Sequence, residues 1–249
     1  MDLIISAATH RTGSTLLQRI CNARKKTLIW GEHQGILKLF REIYDDTKHC
    51  SDYCQHERND YFGNNEDPNQ WIANLTPTNE YVDQAIVASV KSFLANLYSQ
   101  YQNSHDIIGF KEVRYGQQEL ELLRKCYPEA IIFLLIRNPV EIWKSIPDNW
   151  PISNHIEKYI TTWIENSKFY IKMDQEDKRA YLIRFEDLVA KDSQTVNLIS
   201  RLAQLSKAQI NDVLRHKIGS TKNKMISAKD EAFILKNCQE IMELIGYQV

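Results

Sequence analysis

Leu3-Ile4-Ile5-Ser6-Ala7-Ala8-Thr9-His10-Arg11-Thr12-Gly13-Ser14-Thr15-Leu16-Leu17 opens the chain with an apolar run, a turn rich in hydroxyls, and the start of a new pattern. Leu16, Leu17, Ile20 and Cys21 recur at helical spacing, so the stretch reads as strand, tight turn and helix. Such a turn aims unpaired backbone N–H groups and the positive end of the helix dipole at one point, which makes an anion cradle. Gly13 lets the backbone approach closely, Ser14 and Thr15 add hydroxyl donors, and Arg11 adds charge. This is not the nucleoside-triphosphate loop Gly-x4-Gly-Lys-Ser/Thr, because the first glycine is missing and no lysine precedes the hydroxyl residue. An ordinary strand-to-helix turn capped by Ser or Thr uses the same residue types.

Outward from this stretch, Thr27 to Trp30, Ile107 to Phe110, Ala130 to Ile136 and Tyr181 to Phe185 also read as strands. Ala130 to Ile136 is apolar at every position, as a central parallel strand covered on both faces requires. Between the strands, Val82, Ile86, Val90, Phe93, Leu94, Leu97 and Tyr101 form one helical stripe, and Ile156, Tyr159, Ile160, Trp163 and Ile164 a second. The alternation predicts an α/β fold: a single domain over 1–249 with an open parallel sheet flanked by helices on both faces. The 249 residues, 43% of them hydrophobic, suffice for one sizeable core.

A net charge of -1 draws neither nucleic acid nor an anionic membrane, so neither is expected as a partner, and any anion site has to be built locally. Nothing in the composition sets an oligomeric state. Met1 to Ala7 is too short and too poor in bases for a signal peptide, and no apolar run approaches the ~20 residues of a spanning helix. Five cysteines leave one unpaired, which suits a reducing compartment, and a cytoplasmic location is expected.

Arg11-Thr12-Gly13-Ser14-Thr15-Leu16-Leu17 resembles the 5′-phosphosulfate loop of sulfotransferases that use 3′-phosphoadenosine-5′-phosphosulfate (PAPS), most closely in their bacterial and tyrosylprotein branches. Three more blocks follow in the order this family has them. Phe133 to Pro139, with Ser145 eight residues after Arg137, resembles the 3′-phosphate motif. There Arg137 would clamp a phosphate through its fork, and Ser145, about two helical turns on, would add a hydroxyl. Gly109-Phe110-Lys111-Glu112 resembles the block whose lysine reaches the sulfuryl group, a role that neutralises charge growing on the bridging oxygen. Tyr181 to Leu188 resembles an Arg-Tyr-Glu-Asp-Leu block and reads as a structural corner, since acids there would repel an anionic co-substrate.

The resemblance implies a P-loop-like fold and PAPS as co-substrate, released as 3′-phosphoadenosine-5′-phosphate (PAP), with Arg11, Thr12, Gly13, Ser14, Thr15, Leu16, Arg137 and Ser145 binding it. It implies a catalytic base in Trp30-Gly31-Glu32-His33-Gln34, where Glu32 is the first choice and His33 the rival, with Arg11 and Lys111 supplying charge. Ser220 and Lys222 match a tyrosylprotein segment that contributes to the site. No metal is required, because a sulfuryl group carries less charge than a terminal phosphoryl and Arg and Lys suffice. His49-Cys50 and Cys54-Gln55-His56 have a spacing zinc permits, but no second cysteine pair supports it, and a polar loop with free thiols is the reading kept.

The chain departs from the family pattern across residues 45–105, and the variable acceptor-side segment is set at about 41–105. Residues 41–70 hold eight acids against three bases, a net of -5, with four Asn that make them loop-like. With Tyr44, Tyr53, Tyr61 and Phe62 the stretch suits a small polar acceptor, cationic in character, that offers a hydroxyl or amine; a solvated acidic loop is the other reading. A small-molecule kinase or a non-catalytic nucleotide-binding protein on the same fold are the alternatives.

Overall fold

The five runs read as strands all form, and they hydrogen-bond into one sheet. In the computed structural model, which describes residues 1–216 and 224–248, they are β1 (Leu3–Ala7), β2 (Thr27–Trp30), β3 (Ile107–Glu112), β4 (Ile131–Ile136) and β5 (Ala180–Arg184). Their order is β2-β3-β1-β4-β5, and every pair is parallel. Leu3 stands opposite Gly109 on one side and Ile131 on the other, which sets the register of the three central strands.

Parallel strands need crossovers, and helices supply them. After β1 comes α1 (Ser14–Asn22); β2 leads to α2 (Leu37–Tyr53), α3 (Gln55–Gly63) and α4 (Asn79–Leu97); β3 leads to α5 (Gln117–Cys126). After β4 come α6 (Pro139–Ser145) and α7 (Ile156–Glu176). After β5 come α8 (Phe185–Val189), α9 (Ser193–Leu202), α10 (Lys207–Arg215) and α11 (Ala228–Leu244). Side chains alternate across the pleat, so the strands feed two cores. On one face Leu3, Ile5, Phe133 and Leu135 share a core with Leu17 and Ile20 of α1 and Ile199 of α9. On the other, Ile4, Phe110, Ile132 and Leu134 share one with Val90 of α4, Leu123 of α5, Trp163 of α7 and Met242 of α11. Every residue of β1 is buried.

The chain leaves β1 by a helix on the first face and β3 by a helix on the second. The strand order reverses there, and the crevice at such a switch point is where open α/β sheets bind ligands. Among the described residues no helix is long and apolar enough to cross a membrane.

One expectation fails here. Residues 41–70 are not loop-like, because α2 and α3 span most of them. Composition misleads at this point: the acids and Asn occupy an exposed surface, while buried Leu37 and the Phe40 ring, 5.4 Å from Phe93 of α4, give α2 a narrow packed stripe. The Asn do mark the end of α3, where Asn65 takes a left-handed φ of 56°. The His49-to-His56 run lies across the α2–α3 junction with its cysteines as free thiols. Among the described residues no group of three or more His, Cys, Asp or Glu side chains is arranged to hold a metal ion.

The β4–α6 corner is fastened at several points. Asn138 caps α6, its side-chain oxygen accepting from Val140 N at 2.9 Å and Glu141 N at 3.3 Å, ahead of Pro139 at the first helical position. Glu186 accepts from Asn138 N at 2.9 Å and from the Tyr247 hydroxyl at 2.6 Å, so its acid ties three segments together. Asn138→Ala should cost about 1 kcal/mol, seen as a fall of about 2–4 °C in the thermal midpoint. An unchanged midpoint would mean that water serves the freed N–H groups equally well.

Candidate active site

The β1–α1 loop lies at the mouth of the switch-point crevice. Gly13 adopts φ 97°, which an L side chain rarely takes, and its carbonyl accepts from Leu16 N at 2.9 Å to start α1. The missing side chain also makes room for Phe185: a Cβ at Gly13 would lie 2.3 Å from that ring. Thr12 is buried and donates its hydroxyl to the Thr9 carbonyl at 2.7 Å, so it braces the loop from behind. Ser14, Thr15 and Leu16 line a cavity of about 1140 Å³, together with Arg11, Arg137 and Ser145.

Two guanidinium groups are tied across this cavity. Arg137 donates to the Arg11 carbonyl at 3.0 Å, Arg11 Nε donates to the Ser145 carbonyl at 3.0 Å, and Trp163 Nε1 donates to the Arg137 carbonyl at 3.1 Å. Arg137 stacks over Phe185 at 4.7 Å and Arg11 over Trp150 at 5.8 Å. Burial first, and then the nearby Arg137 charge, lower the Arg11 pKa. The Ser145 hydroxyl is buried and donates to the Ile142 carbonyl at 2.7 Å, and Ser145 lines the cavity.

At the other end the β3 terminus meets the turn after β2. Lys111, only 7% exposed, reaches Glu32 Oε1 at 2.5 Å and Thr15 Oγ1 at 3.4 Å. Arg114 Nη1 holds the other oxygen of Glu32 at 2.8 Å and Glu112 Oε1 at 2.8 Å. Burial alone would raise the Glu32 pKa, but the hydrogen bonds from Lys111 and Arg114 outweigh it and hold the carboxyl below its usual range. Glu112 is fully buried and accepts from Val113 N at 2.8 Å, Gly35 N at 2.8 Å and His33 N at 3.3 Å. One carboxylate thereby fixes the turn that carries Glu32 and the arginine that grips it.

Adjacent in sequence, Glu32 and His33 face opposite ways. Glu32 lines the cavity. His33 does not: its two ring nitrogens bond the hydroxyls of Tyr98 and Tyr115, and its ring packs edge-on against Phe110 at 4.8 Å. Both ring nitrogens of His33 are thus engaged by tyrosine hydroxyls, and the residue is not part of the cavity lining. Ser220 and Lys222 lie outside the described residues.

A match to the family model described as the sulfotransferase family extends over residues 4–209. The chain belongs to that family. No curated protein sequence matches it. Among solved structures, the sulfotransferase domain of the Synechococcus PCC 7002 olefin synthase is similar at 15% identity and a TM-score of 0.55, covering 100% of this chain and 96% of that one. The sulfotransferase domain from the curacin biosynthetic pathway is similar at 13% identity and TM-score 0.56, over 100% and 98% of the two chains. Sulfotransferase STF9 from Mycobacterium avium follows at 13% identity and TM-score 0.51, over 99% and 77%. These likenesses are of fold, and family membership sets the kinase alternative aside.

Several residues of this sulfotransferase's cavity wall had no site role in the sequence reading, among them His10, Arg114, Trp150 and Phe185. His10 sat inside the quoted loop, directly before Arg11, and Phe185 inside the block read as a structural corner. No residue of 41–70 lines this cavity; α2 packs against α4, and α3 against α2.

Proposed function

We propose that this sulfotransferase moves the sulfuryl group of PAPS to a hydroxyl or amine of a small acceptor. The observation that carries the reading is the pair Arg11 and Arg137, bound to each other's segments at the N-terminus of α1, with Lys111 beside the same loop. A nucleotide phosphorylated at both 3′ and 5′ needs two anion subsites a few ångströms apart, and charge-assisted hydrogen bonds from guanidinium forks suit both. The loop from Gly13 to Leu16 with Arg11 would hold the 5′-phosphosulfate, and Arg137 with Ser145 the 3′-phosphate. Lys111 would neutralise charge on the bridging oxygen as the sulfur–oxygen bond to phosphate breaks. In this reading Arg and Lys carry the charge and no metal takes part.

The acceptor enters from the side of Trp150 and Glu32. Outside the cavity, the acidic α2 and α3 contribute only a long-range field that favours the approach of a cation over an anion. The five free cysteines support a cytoplasmic setting.

Calorimetry with PAP and ATP, followed by PAPS turnover against an acceptor panel read by mass spectrometry, tests this. PAP should bind well and ATP poorly, and Arg137→Ala should weaken PAP by about 30-fold, or about 2 kcal/mol. Preference for ATP, or unchanged PAP affinity in that variant, sinks the donor assignment. Tight PAP binding with no transfer to any acceptor would instead favour the non-catalytic nucleotide binder.

A further inference from the structure

We propose that His10, rather than Glu32 or His33, receives the acceptor's proton in this enzyme. The inference rests on the sulfuryl-transfer reading above and assigns one role within it.

A general base needs an available lone pair on the cavity wall and a charge state that leaves it unprotonated at working pH. His33 fails the first requirement, since both ring nitrogens are engaged by Tyr98 and Tyr115. Glu32 has one oxygen on Lys111 and the other on Arg114. His10 meets the requirement. It lines the cavity at the tip of the β1–α1 loop, and neither ring nitrogen has a hydrogen-bond partner among the described residues. Its ring stands edge-on to Trp150, with centroids 5.8 Å apart at 82°, so the imidazole is oriented without using its nitrogens.

The charges around it favour the neutral ring. Burial lowers its pKa first and Arg114 adds to that; Glu32 and Glu112 oppose, and Lys111 lowers it further, with the net shift downward from 6.5. The neutral form is therefore the one present near pH 7. In the reaction, an oxygen or nitrogen lone pair of the acceptor forms the new bond to sulfur while the sulfur–oxygen bond to the 5′-phosphate breaks. The phosphate leaves with that electron pair as PAP, and the acceptor's proton passes to a ring nitrogen of His10 and then to solvent. Glu32 keeps Lys111 and Arg114 in place.

Two measurements test this, with water as the probe acceptor. The ring signals of His10, assigned by their loss in His10→Gln, should titrate below 6.5 in the wild type. In Glu32→Gln they should titrate lower still, because an opposing negative charge is gone. A midpoint at or above 6.5, or one indifferent to Glu32→Gln, overturns the proposal. PAPS breakdown, followed as PAP release, should fall about 100-fold or more in His10→Gln, with PAP affinity by calorimetry within about threefold of wild type. The wild type's loss of rate on acidification through the His10 midpoint should vanish in that variant and persist in Glu32→Gln. The converse pattern gives the proton to Glu32 and overturns the proposal while leaving sulfuryl transfer intact. A wild-type enzyme that binds PAP yet releases none from PAPS, with water or with any acceptor of the panel, overturns both.

Discussion

Replacing Lys111 by methionine is expected to lower kcat by about a thousandfold, close to 4 kcal/mol of barrier, while PAP affinity changes by less than about fivefold. The asymmetry follows from where the ammonium sits. Lys111 Nζ lies 3.4 Å from Thr15 Oγ1 and 2.5 Å from Glu32, at the junction between the phosphate loop and the acceptor side, whereas Arg137, proposed above for the 3′-phosphate, donates to the Arg11 carbonyl. PAP lacks the sulfuryl group, so it does not use the contact that matters when the bridging oxygen gains charge. Methionine keeps the length and apolar stem of a side chain that is 7% exposed, which limits the loss of packing. With Lys111 gone, the Glu32 pKa should move back up, since one of the two cations that depress it is absent. Stopped-time assays of PAP formation beside calorimetry separate the two quantities. If PAP affinity drops as far as kcat, Lys111 belongs to the phosphate subsite and its assignment here is wrong.

Much of this site was legible because its parts are local. The β1–α1 loop places strand, Gly13 and helix start within a few residues, and Arg137 with Ser145 needs only a strand end and two turns of helix. What escaped depends on partners far along the chain. Glu32 and His33 are neighbours, and no local pattern says which one faces the cavity. Tyr98 and Tyr115, 65 and 82 residues from His33, claim its ring, while Lys111, 79 residues from Glu32, claims the carboxylate. The pairing of His10 with Trp150 likewise exists only once β1 and the segment after α6 meet. Residues 41–70 were misread for a different reason: Asn and Asp are loop formers by composition, yet the stripe through Leu37 and Phe40 packs on α4 and carries the acids along as a solvated helix face.

Gly13→Ala should be the most disruptive single-methyl change in the site, because it meets two independent obstacles. The residue sits at φ 97°, outside the range an alanine adopts cheaply, and the added carbon would lie 2.3 Å from Phe185 Cδ2. Strain of the first kind costs of order 1–3 kcal/mol and overpacking about as much again, so a combined loss of about 3 kcal/mol is expected, or roughly 6–12 °C in the thermal midpoint. PAP affinity should fall further than stability alone explains, by about 100-fold, since one movement damages both anion subsites. The loop's N–H groups shift with Gly13, and Phe185 carries the Arg137 guanidinium at 4.7 Å, so displacing the ring displaces the fork. Phe185→Ala separates the two obstacles. In the double variant the steric contact is gone and only the backbone strain remains, so its destabilisation should be smaller than the sum of the two single changes. PAP binding should stay weak there, because Arg137 has lost its aromatic support and the loop is still strained. Strict additivity in the double variant would show that the ring contact is not what makes glycine necessary at this position, and would leave the φ requirement to carry the whole effect.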